Sequence, residues 1–125
     1  MQRPSREPLV YVVDDDPDYR GLIIRLLATV HLEAAGFARA QEFLEAYDAD
    51  RPGCAVLDVR LPDQSGLEVL EQLRDREVRP PVVIITGHAD VTMAVRALKM
   101  GAVDFLEKPV RNQDLLEMVQ HCVAR

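Results

Sequence analysis

Apolar residues in this chain fall into short solid runs, separated by longer stretches where they recur at helical spacing. The first run, Leu9–Val13 (LVYVV), is rich in β-branched residues and reads as a strand. Pro17 then suits the first position of a helix, with Asp16 as its N-cap. Leu22, Ile23, Leu26, Leu27 and Val30 repeat on one face of that helix, and His31 closes it. Glu33–Phe37 is a weaker strand containing glycine, which suits a sheet edge. Helical spacing returns over Gln41–Tyr47 with Phe43, Leu44 and Tyr47, and Asp50-Arg51-Pro52-Gly53 is a turn.

The next stretch organises the rest of the chain. Cys54–Leu57 is apolar throughout and runs straight into Asp58. A fully apolar run bounded by turn signals is how a central parallel strand reads, because helices cover both of its faces. Such a strand has no room for a charge in its middle, so Asp58 belongs at its carboxyl end, the rim where open α/β sheets place their sites. Ser65-Gly66-Leu67-Glu68 matches a capping box, with Leu67, Leu70 and Leu73 as the buried stripe. After the break at Arg79-Pro80-Pro81, Val82–Ile85 is a second central strand that ends at Thr86-Gly87-His88. Asp90 is placed to cap a helix that buries Val91, Ala94, Val95 and Leu98 and stops at Gly101. Val103–Leu106 is the fifth strand, followed by Glu107-Lys108-Pro109. The last helix covers about 112–123 and buries Leu115, Val119 and either Cys122 or Val123. Strands and helices alternate five times, which means a doubly wound parallel sheet with helices on both faces, an α/β three-layer sandwich.

Composition narrows the function. A chain of 125 residues supports one core, and 48% hydrophobic with 29% charged residues is that of a globular domain. The net charge of -6 argues against nucleic-acid binding by this domain, since phosphate backbones reward a basic face. No run approaches a membrane span, and Met1–Pro8 lacks the apolar segment of a signal peptide and reads as a flexible arm before a domain over 9–125. Cys54 and Cys122 read as small apolar fillers of a cytoplasmic protein rather than as a disulfide.

The residues just past the strands carry the chemistry. Asp14 and Asp15 come after the first, Asp58 ends the third, Thr86 succeeds the fourth and Lys108 the fifth. In the flavodoxin-like strand order 2-1-3-4-5 the first and third strands flank the switch point, which gathers the three carboxylates. Clustered carboxylates need a compensating cation, and an all-oxygen set suits Mg²⁺. Asp58, on the central strand, is the candidate nucleophile for a phosphoryl group, with Lys108 as a mobile point charge and the Thr86 hydroxyl as a donor to phosphoryl oxygens.

These residues resemble the receiver domains of two-component response regulators, over essentially Leu9 to Val123. The resemblance is carried by VVDDDP at 12–17, VLDVRLPDQSG at 56–66, VIITGHAD at 83–90 and GAVDFLEKP at 101–109. The last two look most like receivers of the FixJ-like and NtrC-like branches, which are attached to helix-turn-helix outputs. The resemblance implies a CheY-like fold in which Asp58 is phosphorylated by a sensor histidine kinase. It further implies that Asp15 and Asp58 ligate Mg²⁺ directly, with Asp14 completing the acidic pair and the Arg60 backbone carbonyl completing the protein ligands. Thr86 and Lys108 would contact the phosphoryl group, Phe105 would be the switch aromatic, and the Lys108–Pro109 bond would be cis. Arg60 and His88, two residues past Asp58 and Thr86, would tune the phosphate lifetime. Phosphorylation would shift the face of the fourth helix, fifth strand and fifth helix, favouring a homodimer or controlling a DNA-binding output domain. Such a chain promotes its own phosphorylation and dephosphorylation but has no separate substrate, so it is not an enzyme in the usual sense.

Phe105 lacks the hydroxyl of a tyrosine, which excludes a switch that relies on that hydrogen bond. No output domain is visible, so the chain reads either as a stand-alone receiver or as one separated from its output. A hydrolase-type phosphotransferase would place a second Asp two residues after the nucleophile, where Arg60 stands, and so would lack its general acid. A nucleotide or flavin site is disfavoured because Asp14-Asp15-Asp16 would repel a phosphate after the first strand. The remaining rival is a degenerate receiver that is not phosphorylated and only mediates protein contacts.

Overall fold

The computed structural model describes residues 7–124, so most of the stretch read as an N-terminal arm (1–6) lies outside the described residues. Five strands, β1 (Leu9–Val13), β2 (Glu33–Phe37), β3 (Gly53–Asp58), β4 (Val82–Thr86) and β5 (Asp104–Glu107), pair in parallel in the order 2-1-3-4-5. Between and after them run α1 (Pro17–Ala28), α2 (Ala40–Ala46), α3 (Gly66–Asp75), α4 (Val91–Lys99) and α5 (Asn112–Val123). A 3-10 turn at His88–Asp90 precedes α4.

The sheet divides the core in two by the period of its strands. Tyr11, Val13, Ala55, Leu57 and Ile84 face α2, α3 and α4. Val10, Val12, Cys54, Val56 and Ile85 face α1 and α5. That alternation explains why β1, β3 and β4 read as unbroken apolar runs. Cys54 and Cys122 are buried thiols on the α5 side, as expected of core fillers. The Cys54 thiol is pushed up to about 12 by burial, with Cys122 adding to the effect.

Several helix assignments need correction. On α1 only Ile23 and Leu27, one turn apart, are fully buried, and Leu22 is 43% exposed. On α4 the buried pair is Ala94 and Ala97, whereas Val95 is 42% exposed. In both helices the residue beside the sheet-facing line is rotated about 100° away from it. The fifth strand is displaced by one residue from the expected 103–106. Asp90 does precede α4, but its side chain caps nothing. Its carboxylate is engaged by Arg60 instead.

Candidate functional site

The carboxyl ends of β1, β3 and β5 meet at one rim. Asp14 leaves β1 with its backbone N–H donating to the Phe37 carbonyl, and the residue is 2% exposed. One carboxylate oxygen, Oδ1, accepts from the Asp16 N–H at 2.9 Å. Asp58 closes β3, where the next N–H, of Val59, donates to the Ile85 carbonyl and fixes the chain to β4. Its Oδ1 accepts from the Arg60 N–H at 3.0 Å. Lys108, just past β5, donates its backbone N–H to the Thr86 carbonyl at 2.8 Å, which turns its side chain back over the sheet. Its Nζ then lies 3.0 Å from Asp14 Oδ2 and 3.2 Å from Asp58 Oδ2. The Lys108–Pro109 bond is cis.

Burial pushes the Asp58 carboxyl above its ordinary range, and the neighbouring charge of Asp14 adds to this. The Arg60 N–H and Lys108 pull the other way without cancelling it. For Lys108, burial opposes the charge, but the bonds and fields of Asp14 and Asp58 outweigh it and raise its pKa. Charge compensation is thus partial. Carboxylate oxygens of Asp14, Asp15 and Asp58 lie within 4.8 Å of one another. Asp15 is exposed and has no ion pair among the described residues. A hard cation such as Mg²⁺ fits this set, because its donors are all oxygen and Lys108 neutralises only part of the charge.

An open cleft above the carboxylates is lined by Asp15, Asp58, Arg60, Gly87, Asp90 and Lys108. Thr86 ends β4 next to this cleft, fully buried, and its hydroxyl donates to the Gly87 carbonyl at 3.0 Å. The structure therefore brings Asp14, Asp15, Asp58 and Lys108 together, while the Thr86 hydroxyl is turned to its own loop. Phe105 lies on β5, opposite Ile84 in register, and packs half-buried against the core on the α4 side. The side chain of His88 lies outside the described residues.

Two residues, one at the site and one in the loop that leaves it, escape a reading of the sequence. Tyr19 holds the Lys108 ammonium 4.7 Å from its ring centroid. Burial pushes its phenol up, with Lys108 opposing the shift. Asp63, in the loop after Asp58, accepts from the backbone N–H groups of Ala40 and Gln41, each at 3.0 Å, and so caps α2. Burial works against its ionised form, but those two N–H groups hold the carboxyl below its usual range. The only local signal for either was residue type, an aromatic in the first turn of α1 and an acid near a helix start.

A parallel 2-1-3-4-5 sheet with an acidic rim and a converging lysine defines the receiver class of α/β modules. Residues 10–120 match the family model of the response regulator receiver domain, and the chain belongs to that family. It is 45% identical over 121 residues to nodulation protein W of Bradyrhizobium diazoefficiens, covering 97% of this chain and 53% of that protein. It is 40% identical over 116 residues to the transcriptional regulatory protein FixJ of the same species, covering 93% of this chain and 57% of that one. Among solved structures, the response regulator StyR superposes with a TM-score of 0.88 at 42% identity, covering 94% of this chain and 60% of that one. FixJ-N superposes at 0.86 with 36% identity, covering 97% of each chain. The chain thus spans about half the length of the curated relatives it matches. No helix among the described residues is long and apolar enough to cross a membrane.

Proposed function

We propose that the chain is an active receiver in which Asp58 accepts a phosphoryl group from the phosphohistidine of a sensor histidine kinase. One observation carries this reading: a single ammonium, that of Lys108, spans Asp14 and Asp58 beside a third carboxylate, Asp15. In the transfer, an Asp58 carboxylate oxygen bonds to phosphorus, the P–N bond breaks, and the leaving imidazole takes up a proton. Asp15, Asp58 and the Arg60 carbonyl would hold Mg²⁺, with Asp14 beside them, and the ion would supply charge neutralisation at the phosphoryl oxygens. Lys108 shifts to a phosphoryl oxygen.

Thr86, once offered a phosphoryl acceptor, exchanges its bond to Gly87 for one into the cleft. Phe105 then takes up the space behind it and alters the α4–β5–α5 face. This face would form a homodimer or govern a DNA-binding output in a longer cytoplasmic regulator. Arg60 and His88 would set the lifetime of the phosphate. The chain itself has no substrate besides the phosphodonor.

Intact-mass measurement after incubation with Mg²⁺ and acetyl phosphate tests the reading. The expected result is a gain of one phosphoryl group in the wild type and none in Asp58→Asn. No gain at any donor concentration overturns it, and size-exclusion of the same samples reads the dimer.

A further inference from the structure

We propose that Tyr19 is a positioning residue for Lys108, its ring acting as the wall that holds the ammonium over Asp14 and Asp58; this rests on reading Asp58 as the phosphoacceptor. The geometry is direct. The Lys108 Nζ lies 3.0 Å from Asp14 Oδ2, 3.2 Å from Asp58 Oδ2 and 4.7 Å from the Tyr19 ring centroid. The last distance is inside the range over which an aromatic face attracts a cation. A lysine side chain is a point charge on a flexible stem, so two carboxylates alone leave it free to rotate and to hydrate on its open side. The ring occupies part of that side.

The ring is itself held in place by the start of α1. Asp16 Oδ1 accepts from the backbone N–H of Asp18 at 3.0 Å and of Tyr19 at 3.3 Å, and Pro17 opens the helix. Arg20, the next residue, donates from Nη1 to the Asp14 carbonyl at 2.7 Å and ties that helix start to the end of β1. The Tyr19 side chain packs, half-buried, against the core on the α1 and α5 side. Asp14, which the ammonium contacts, and Tyr19, which flanks it, therefore belong to one rigid turn. Positioning of this kind acts on the rate of phosphoryl transfer, because an ammonium held beside the acceptor has only a short shift left to make when charge develops on the phosphoryl oxygens.

The experiment compares wild type, Tyr19→Phe, Tyr19→Leu and Tyr19→Met, with Asp58→Asn as a blank. Phosphorylation by acetyl phosphate is followed by intact mass across donor concentrations in saturating Mg²⁺. In the resting proteins, NMR reads the upfield ring-current displacement of the Lys108 Cε protons. Tyr19→Leu and Tyr19→Met should lose that displacement and lower the maximal rate roughly tenfold, the scale of one cation–π contact. Their half-saturating donor concentration should barely move. Tyr19→Phe, which keeps a ring, should retain the displacement and most of the rate. Tyr19→Met gives the answer if Tyr19→Leu does not fold. Wild-type rates in the ringless variants, or a Tyr19→Phe rate as low as theirs, would overturn the role of the ring while leaving Asp58 as the acceptor. A wild type that gains no phosphoryl group would overturn both.

Discussion

Arg60 reaches across the mouth of the cleft to Asp90, with Nη2 2.6 Å from Oδ1 and Nε 3.2 Å from Oδ2. The pair bridges the loop after β3 to the turn before α4, and both residues line the cleft that holds Asp58. A planar, two-point grip of this kind has defined geometry even where it is solvated. Arg60 is highly exposed, so the pair should matter little to stability. Its effect should appear in how long a phosphoryl group on Asp58 survives. Arg60→Ala and Asp90→Ala should each shorten that lifetime several-fold, and the double variant should be no worse than either alone. Measured lifetimes that multiply in the double variant would show that the two residues act separately.

Three helices end in the same hydrogen-bond pattern, and only one of them uses glycine. After α3, Glu77 donates to the Arg74 carbonyl and Val78 to that of Leu73, with Glu77 at φ 59°. After α1, His31 takes the same role at φ 62°, and after α4 Gly101 does so at φ 111°. The left-handed conformation costs an L-residue about 1–2 kcal/mol, against about 0.5–1 kcal/mol of extra chain entropy that glycine loses on folding. Glu77 is exposed, so nothing else is lost on replacing it. Glu77→Gly should therefore stabilise the fold by roughly 0.5–1 kcal/mol in urea titration. An unchanged or lower midpoint would refute this account of the helix end.

How much of this was legible in the sequence depended on the range of the interactions. The runs ending at Asp58 and Thr86 announced central strands because burial on both faces leaves no polar position to confuse the pattern. The convergence of Asp14, Asp15, Asp58 and Lys108 followed from strand order, a consequence of topology rather than of local propensity. The stops at His31 and Gly101 were visible, whereas the left-handed backbone at His31 and the stop at Glu77 were not, since residue type does not reveal a left-handed non-glycine. Leu22 and Val95 were misassigned because a helical stripe has two flanks, and only the sheet decides which of them it covers. Asp90 looked like a cap by its position. A partner thirty residues away in sequence claimed its carboxylate. Tyr19 was illegible for the same reason, its contact being with a residue at the other end of the chain.

The start of β3 is tightly constrained. A Cβ placed on Gly53 would lie 2.0 Å from the Leu9 carbonyl oxygen, a backbone atom held in the sheet between β1 and β3. Neither strand can retreat without breaking the ladder that aligns Asp14 with Asp58. Gly53→Ala should cost about 2–3 kcal/mol of stability, the scale of a localised backbone distortion. Gly87→Ala is the control, because its added Cβ meets nothing within 4 Å. Equal urea midpoints for the two variants would contradict the close approach.

Asp58 should make stability depend on pH in the direction opposite to an ordinary paired carboxylate. Its pKa is raised in the folded state, through burial first and Asp14 next. The folded chain then holds this proton more tightly than the unfolded one, so stability falls as pH rises from the unfolded value through the folded one. Above that window the ionised carboxylate weighs against folding. Without divalent cations, Asp58→Asn should therefore melt higher than wild type at pH 7. The gap should close below about pH 4, where the aspartate is protonated in both states. Mg²⁺ should reverse the order, since a ligand that binds only the folded form adds about 2.7 kcal/mol at a hundredfold excess over its Kd. The wild type should gain this and the Asn variant much less. Melting curves across pH with EDTA or Mg²⁺ decide the matter: a wild type more stable than Asp58→Asn at pH 7 in EDTA would mean that Lys108 already over-compensates the site.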